Sequence, residues 1–148
     1  MLTSEMCQLI EDYSAGMVAT INDDGTPSVS PKATFVILDE RTLAFGNIRS
    51  PGTLANLAVR PAVEVCFIDV LQRKAVRVSG QGVAVPVIDA PTALSEAFRP
   101  KWGDYLSQMS DFVRIDVARC ELILSPAYDL GISAEELKRT NLEKLNAL

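Results

Sequence analysis

The run from Gly16 to Asp69 sets three strand-forming segments, two tight turns and one short helix in a single order. Gly16 to Ile21 reads as a strand, and Asn22-Asp23-Asp24-Gly25 reads as a hairpin turn because Asp and Gly both tolerate positive φ. A return strand is expected from Thr26 to about Leu38. Pro27 and Pro31 within it lack an amide hydrogen, so it cannot be fully paired on both sides, and an edge or a bulge is implied. Leu38-Asp39-Glu40-Arg41 makes a second turn and Thr42 to Phe45 a third strand. Ser50 can then cap a helix with Pro51 at its first position, ended by Arg60-Pro61.

The flanking sequence continues this pattern. Thr3 or Ser4 can cap a first helix in which Met6, Leu9, Ile10 and Tyr13 recur at helical spacing, and Gly16 stops it. Val63 to Ile68 and Ala75 to Val85 read as strands, with Gly80 and Gly82 marking a bend or a close backbone approach. From Pro91 to Gln108 the apolar spacing is helical but interrupted by Pro100 and Gly103, which fits one broken helix or two short ones. Phe112 to Leu124 is a long strand, and Ser133 with Glu136 makes a capping box for a terminal helix. About six strands with short turns and inserted helices do not suit a doubly wound sheet. A mainly β (α+β) antiparallel barrel with peripheral helices, one domain over residues 1–148, is the expected fold.

Composition narrows the chemistry. The chain contains no histidine, which removes the usual neutral-pH acid–base group, excludes a Ser-His-Asp or Cys-His hydrolase and, without a Cys cluster, leaves no metal site to expect. A net charge of -5 argues against broad binding to nucleic acid or anionic membrane. Cys7, Cys66 and Cys120 are widely spaced and read as thiols in a reducing compartment. No secretory signal pattern is visible, so a cytoplasmic location is expected. The 48% hydrophobic content is high for a chain of 148 residues and suggests an oligomer. Any enzymatic chemistry is expected to come from a cofactor.

Two segments carry candidate chemistry. At Ser50 to Thr53 a helix begins, so free backbone amides and the helix dipole favour an anion, with Arg49 supplying charge and Ser50 and Thr53 hydroxyl donors. Taken alone, this is also what any capped helix start looks like. In Ser30-Pro31-Lys32 the proline frees the strand edge for a planar heterocycle and Lys32 offers charge beside it, although Pro and Lys equally protect an edge from aggregation. Arg77 reads as solvent-exposed. Trp102 with Phe98 and Tyr105 could wall a pocket, but an aromatic stripe at helical spacing is more often core or an interface.

The order of these pieces resembles the flavin-binding split-barrel family that includes the pyridoxamine 5'-phosphate oxidases and small bacterial FMN-binding proteins. The matching pattern is Gly16-Met17-Val18-Ala19-Thr20, Asp24-Gly25-x-Pro27, Ser30-Pro31-Lys32, Leu43-x-Phe45, Ser50 and Thr53, Asn56-Leu57, Arg60-Pro61 and Val76-x-Val78-x-Gly80. The resemblance implies a six-stranded antiparallel split β-barrel that forms a homodimer with FMN between the subunits. It implies a phosphate near Arg49, Ser50 and Thr53, a flavin ring along Ser30, Pro31, Lys32 and Ala33, and Asn47 nearby. Lys32 would then stabilise the reduced ring. An FMN-dependent oxidoreductase acting on a small molecule is the implied function. The oxidases carry an Arg and a Lys on the second strand at places not so filled here, a basic residue where Gly52 stands, and a C-terminal substrate-binding arginine segment with no counterpart in Leu124 to Leu148. Together these departures argue against vitamin B6 oxidation. A deazaflavin-dependent reductase, and a non-catalytic flavin module or cofactor-free scaffold, are the alternatives.

Overall fold

Thr3 fixes where the first helix starts: its Oγ1 accepts from the Met6 amide at 3.3 Å, and helix α1 (Ser4–Asp12) follows with Met6, Leu9 and Ile10 buried. A computed structural model describes residues 1–148, and every residue is placed. Gly16 opens strand β1 (Gly16–Ile21) rather than closing the helix, which ends at Asp12. The hairpin turn then forms as its residues dictate. Gly25 takes φ +84°, and Asp24 Oδ1 accepts from the Thr26 amide at 3.0 Å.

The expected return strand is two strands. β2 (Pro27–Lys32) pairs only with β1, and after a corner at Ala33-Thr34 the chain enters β3 (Phe35–Asp39), which pairs only with β4 (Thr42–Asn47). The edge implied by Pro27 and Pro31 is therefore real, since β2 closes one end of the sheet. Next come helix α2 (Pro51–Val59), β5 (Ala62–Asp69), β6 (Lys74–Pro86), helix α3 (Thr92–Trp102) and β7 (Asp111–Leu124). Helix α4 (Ala134–Asn146) ends the fold, its start capped by Ser133, whose Oγ accepts from the Glu136 amide at 3.1 Å. No helix is long and apolar enough to cross a membrane. The helix in the Pro91 to Gln108 region tolerates Pro100 near its end and gives way only at Gly103, where a 3-10 turn (Gly103–Gln108) begins.

All strands are antiparallel in the order β2-β1-β5-β6-β7-β4-β3, so the sheet has seven strands where six were expected, and it does not close. It is nevertheless tightly rolled. Phe35 on edge strand β3 meets Phe67 on β5 at 4.7 Å between ring centroids, although three strands separate them in the sheet. Such a contact is possible only across the inside of a barrel. Val18, Val65, Val76, Val78, Val113 and Ile115 fill that interior, and α1 packs onto it through Met6, Leu9 and Ile10, with Leu2 just before the helix. A second, separate core of Ala44, Phe98, Met109 and Phe112 fastens α3 to the outside, with the Phe98 and Phe112 rings stacked at 4.5 Å.

Gly80 is the close approach expected in β6. It lies where the β6–β7 register shifts, and a Cβ there would sit 2.1 Å from the Asp116 carbonyl oxygen. Backbone cannot yield as a flexible side chain can. Gly80→Ala is expected to destabilise the protein by about 1–3 kcal/mol in urea unfolding.

Candidate functional site

The corner that splits β2 from β3 also opens a cleft of about 470 Å³. Ser30 to Thr34 line it from the corner, Gly46 from the end of β4, Ile48, Arg49 and Ser50 from the connection between β4 and α2, and Trp102 and Tyr105 from the end of α3 and the turn after it. Local chemistry holds these pieces. The Thr34 hydroxyl donates to the Gly46 carbonyl at 2.7 Å, and the Gly46 amide donates to the Thr34 carbonyl at 3.2 Å. A Cβ at Gly46 would lie 2.2 Å from the Met109 sulfur, so any larger residue there would displace the Met109 side chain.

The lining is cationic and rich in uncommitted donors. Lys32 is only 8% exposed and forms no ion pair; its Nζ donates to Ser30 Oγ, and partial burial pushes its pKa below the usual lysine range. Arg49 is exposed and has neither an ion pair nor a side-chain hydrogen bond. Ser50 occupies the N-cap position of α2, yet its hydroxyl caps nothing. The first helical bond runs from the Leu54 amide to the Ser50 carbonyl at 3.3 Å, which leaves the Gly52 and Thr53 amides outside the ladder. No carboxylate lines the cleft, although the chain as a whole carries a net charge of -5. Such a donor set fits an anion.

Six of the eight residues singled out in the sequence, Ser30, Pro31, Lys32, Ala33, Arg49 and Ser50, thus come together around one cleft. Thr53 and Asn47 do not line it. Thr53 is buried in the first turn of α2, where its hydroxyl makes no protein hydrogen bond. Asn47 is 2% exposed and bridges β4 to the start of β7, its Nδ2 donating to Ser110 Oγ at 3.3 Å while its Oδ1 has no partner. Arg77 points away from the cleft and pairs with Glu121 and, at 3.7 Å, with Glu64. Thr34 and Ile48 gave no sequence signal, since a lone Thr or Ile in a strand-rich run looks like any other. Of the aromatic stripe, Trp102 and Tyr105 line the cleft, as the pocket-wall alternative had it, while Phe98 is buried in the second core. A shallower groove of about 330 Å³ over Ala19 and Glu64 is less promising, because its Glu64 accepts from the Ser79 hydroxyl at 2.7 Å and that pair is already satisfied.

The chain belongs to the pyridoxamine 5'-phosphate oxidase family, whose model matches residues 2–127. No curated protein matches it significantly. Among solved structures it is similar to HupZ from Group A Streptococcus, with 24% identity over 84% of this chain and 96% of that one and a TM-score of 0.72. It is also similar to an FMN-binding protein from Syntrophomonas wolfei, with 7% identity, 79% and 82% coverage and a TM-score of 0.64. An F420 reductase matches with 21% identity, 72% and 88% coverage and a TM-score of 0.55. At these identities the structural likeness establishes the shared fold. The family to which it belongs is of flavin-binding, oxidoreductase type.

Lys32 provides a test of the electrostatic account. A cation held partly dry without a carboxylate costs stability, so Lys32→Met is expected to raise the melting temperature of the ligand-free protein by about 2–4 °C. The sign with pH follows from the lowered pKa. Between its folded and unfolded pKa values Lys32 binds fewer protons in the folded state, so its contribution to stability improves as pH rises through that window. The advantage of K32M over the wild type should therefore shrink toward pH ~10.5, as read by urea unfolding across the alkaline range.

Proposed function

We propose that this chain binds FMN in the cleft at the β2–β3 corner and, as a homodimer, passes hydride or electrons between that flavin and a small-molecule substrate. The observation that carries this reading is the charge of the cleft: Lys32, Arg49 and a free Ser50 hydroxyl line it with no carboxylate, in an acidic chain, and the unpaired Gly52 and Thr53 amides follow Ser50 in the first turn of α2. Membership of the family and the fold shared with an FMN-binding protein support FMN as the ligand.

Arg49, Ser50 and the start of α2 hold the phosphate, with Thr53 beside them in the same turn. Ser30, Pro31, Lys32 and Ala33 run along the ring. When bound, the flavin supplies the hydride or electron exchange that a chain without histidine has no side chain to perform. Lys32 keeps a positive charge next to the ring and so favours the added negative charge of reduction. Pro31 withholds an amide hydrogen from the strand edge and leaves it unpaired beside the ligand.

The outer face of the sheet supports the dimer. Met17 is 44% exposed and Val29 63%, and cross-strand pairing sets Met17 beside Pro31 and Cys66, and Val29 beside Ala19, in one apolar surface. That surface runs directly into the cleft at Pro31. With Cys7, Cys66 and Cys120 all free thiols, the cytoplasm is the compartment that fits. The fold shared with an F420 reductase favours a deazaflavin as the second reading.

The purified protein should be yellow or turn yellow on addition of FMN, with a rise in melting temperature; a colourless protein unaffected by FMN would sink the reading, and a response to F420 alone would establish the second one. Arg49→Ala with Thr53→Ala should weaken FMN far more than riboflavin, because only FMN carries the phosphate. Gly52→Arg has open space for its side chain, with nothing within 4 Å of a Cβ. It should tighten FMN about tenfold, the usual worth of one charge-assisted bond, and leave riboflavin unchanged. Val29→Lys should turn a dimer into a monomer in sedimentation velocity and lower FMN retention with it.

A further inference from the structure

Resting on the flavin reading above, we propose that Trp102 and Tyr105 are the stacking wall of the cofactor cleft, and that Trp102 favours the oxidised, electron-poor ring over the reduced one. Neither residue lies in the stretch of the sequence that suggested the site. Both reach the cleft because the second core, through Phe98, Met109 and Phe112, clamps α3 against the outside of β4 and β7.

Trp102 is held rigidly. Its Nε1 donates to the Phe35 carbonyl at 2.8 Å, which fixes the edge of the indole and covers a polar group on edge strand β3. The Lys101 ammonium sits 5.4 Å from the indole centroid and donates to the Glu11 carbonyl at 3.0 Å. Tyr105 meets Trp102 at 6.2 Å and 61°, so the two rings form a corner instead of stacking on each other. Tyr105 is 49% exposed, and its hydroxyl has no hydrogen-bond partner. A half-exposed ring that contributes little to the core, next to a rigid indole and across a cleft from an anion seat, suits a flat aromatic ligand.

Chemistry then separates the roles of Trp102 and Lys32. An indole face is electron-rich and attracts an electron-deficient fused ring; once that ring has taken up electrons, the attraction falls. Lys32 acts the other way, because its charge grows more favourable as the ring becomes negative. The two residues thus pull the potential of a bound flavin in opposite directions, Trp102 downward and Lys32 upward.

The test uses the whole 148-residue chain loaded with FMN, in wild type, Trp102→Phe, Trp102→Leu, Tyr105→Leu and Lys32→Met. Emission of the bound flavin should be strongly quenched in the wild type, because an aromatic ring in contact donates an electron to the excited flavin. W102L should recover it several-fold, W102F partly, and both should bind oxidised FMN more weakly, by about tenfold for W102L. The midpoint potential should rise in W102L and fall in K32M. Should W102L fail to fold, W102F and Y105L carry the same readouts, since one keeps an aromatic ring and the other alters a half-exposed residue. If FMN binds but emission, affinity and potential are unchanged in W102F and Y105L, the stacking wall is overturned while the flavin reading stands. If the wild type binds no FMN, the flavin reading itself fails and this proposal falls with it.

Discussion

The buried hydrogen bond from the Thr34 hydroxyl to the Gly46 carbonyl, 2.7 Å long, holds the corner on which the rest of this molecule turns. Without that corner the chain from Thr26 to Leu38 would be one long strand. With it, β2 stays at one edge of the sheet and β3 crosses to the other, so the barrel is rolled yet unsealed. The same bond ties the corner residues Ser30 to Thr34 to the connection that carries Arg49 and Ser50. A single threonine therefore links the topology of the sheet to the spacing of the two main walls of the cleft.

Much of this was legible in the sequence because it depends on local chemistry. The Asp24-Gly25 turn, the Ser133 cap and the edge position of the proline-bearing strand follow from backbone rules that act over a few residues. The corner at Ala33-Thr34 was not legible, because its one local bond, from the Phe35 amide to the Ala33 carbonyl at 2.9 Å, has no residue signature, and its Thr34 side chain is held by Gly46, twelve residues away. The extra strand follows from that omission. Pro100 was overread for a related reason: near the end of α3 a proline forfeits little of the helix, and the break comes at Gly103.

The site divides along the same line. Ser30, Pro31, Lys32 and Ala33 are consecutive and Arg49 and Ser50 adjacent, so each group was visible as a short motif, and the ordered set carried the resemblance. Trp102 and Tyr105 come from far along the chain and owe their position to the packing of Phe98 against Phe112. Their spacing reads as helix face, and nothing local tells a ring that faces a cleft from one that faces a core. Asn47 shows the converse. Its neighbours in sequence line the cleft, while its own side chain turns inward to Ser110, as strand alternation requires.

The cleft also lies between two separately packed cores, a large one inside the barrel and a small one of four buried residues that secures α3. Few buried contacts mean a low free energy of local opening, so α3 and the turn after it are expected to exchange their amide hydrogens sooner than the barrel strands. Detachment of α3 would uncover the Phe35 carbonyl on edge strand β3 and remove Trp102 from the cleft in one motion. A molecule bound between Lys32 and Trp102 would be held by both cores at once. It would couple two cooperative units that the chain alone leaves only loosely joined.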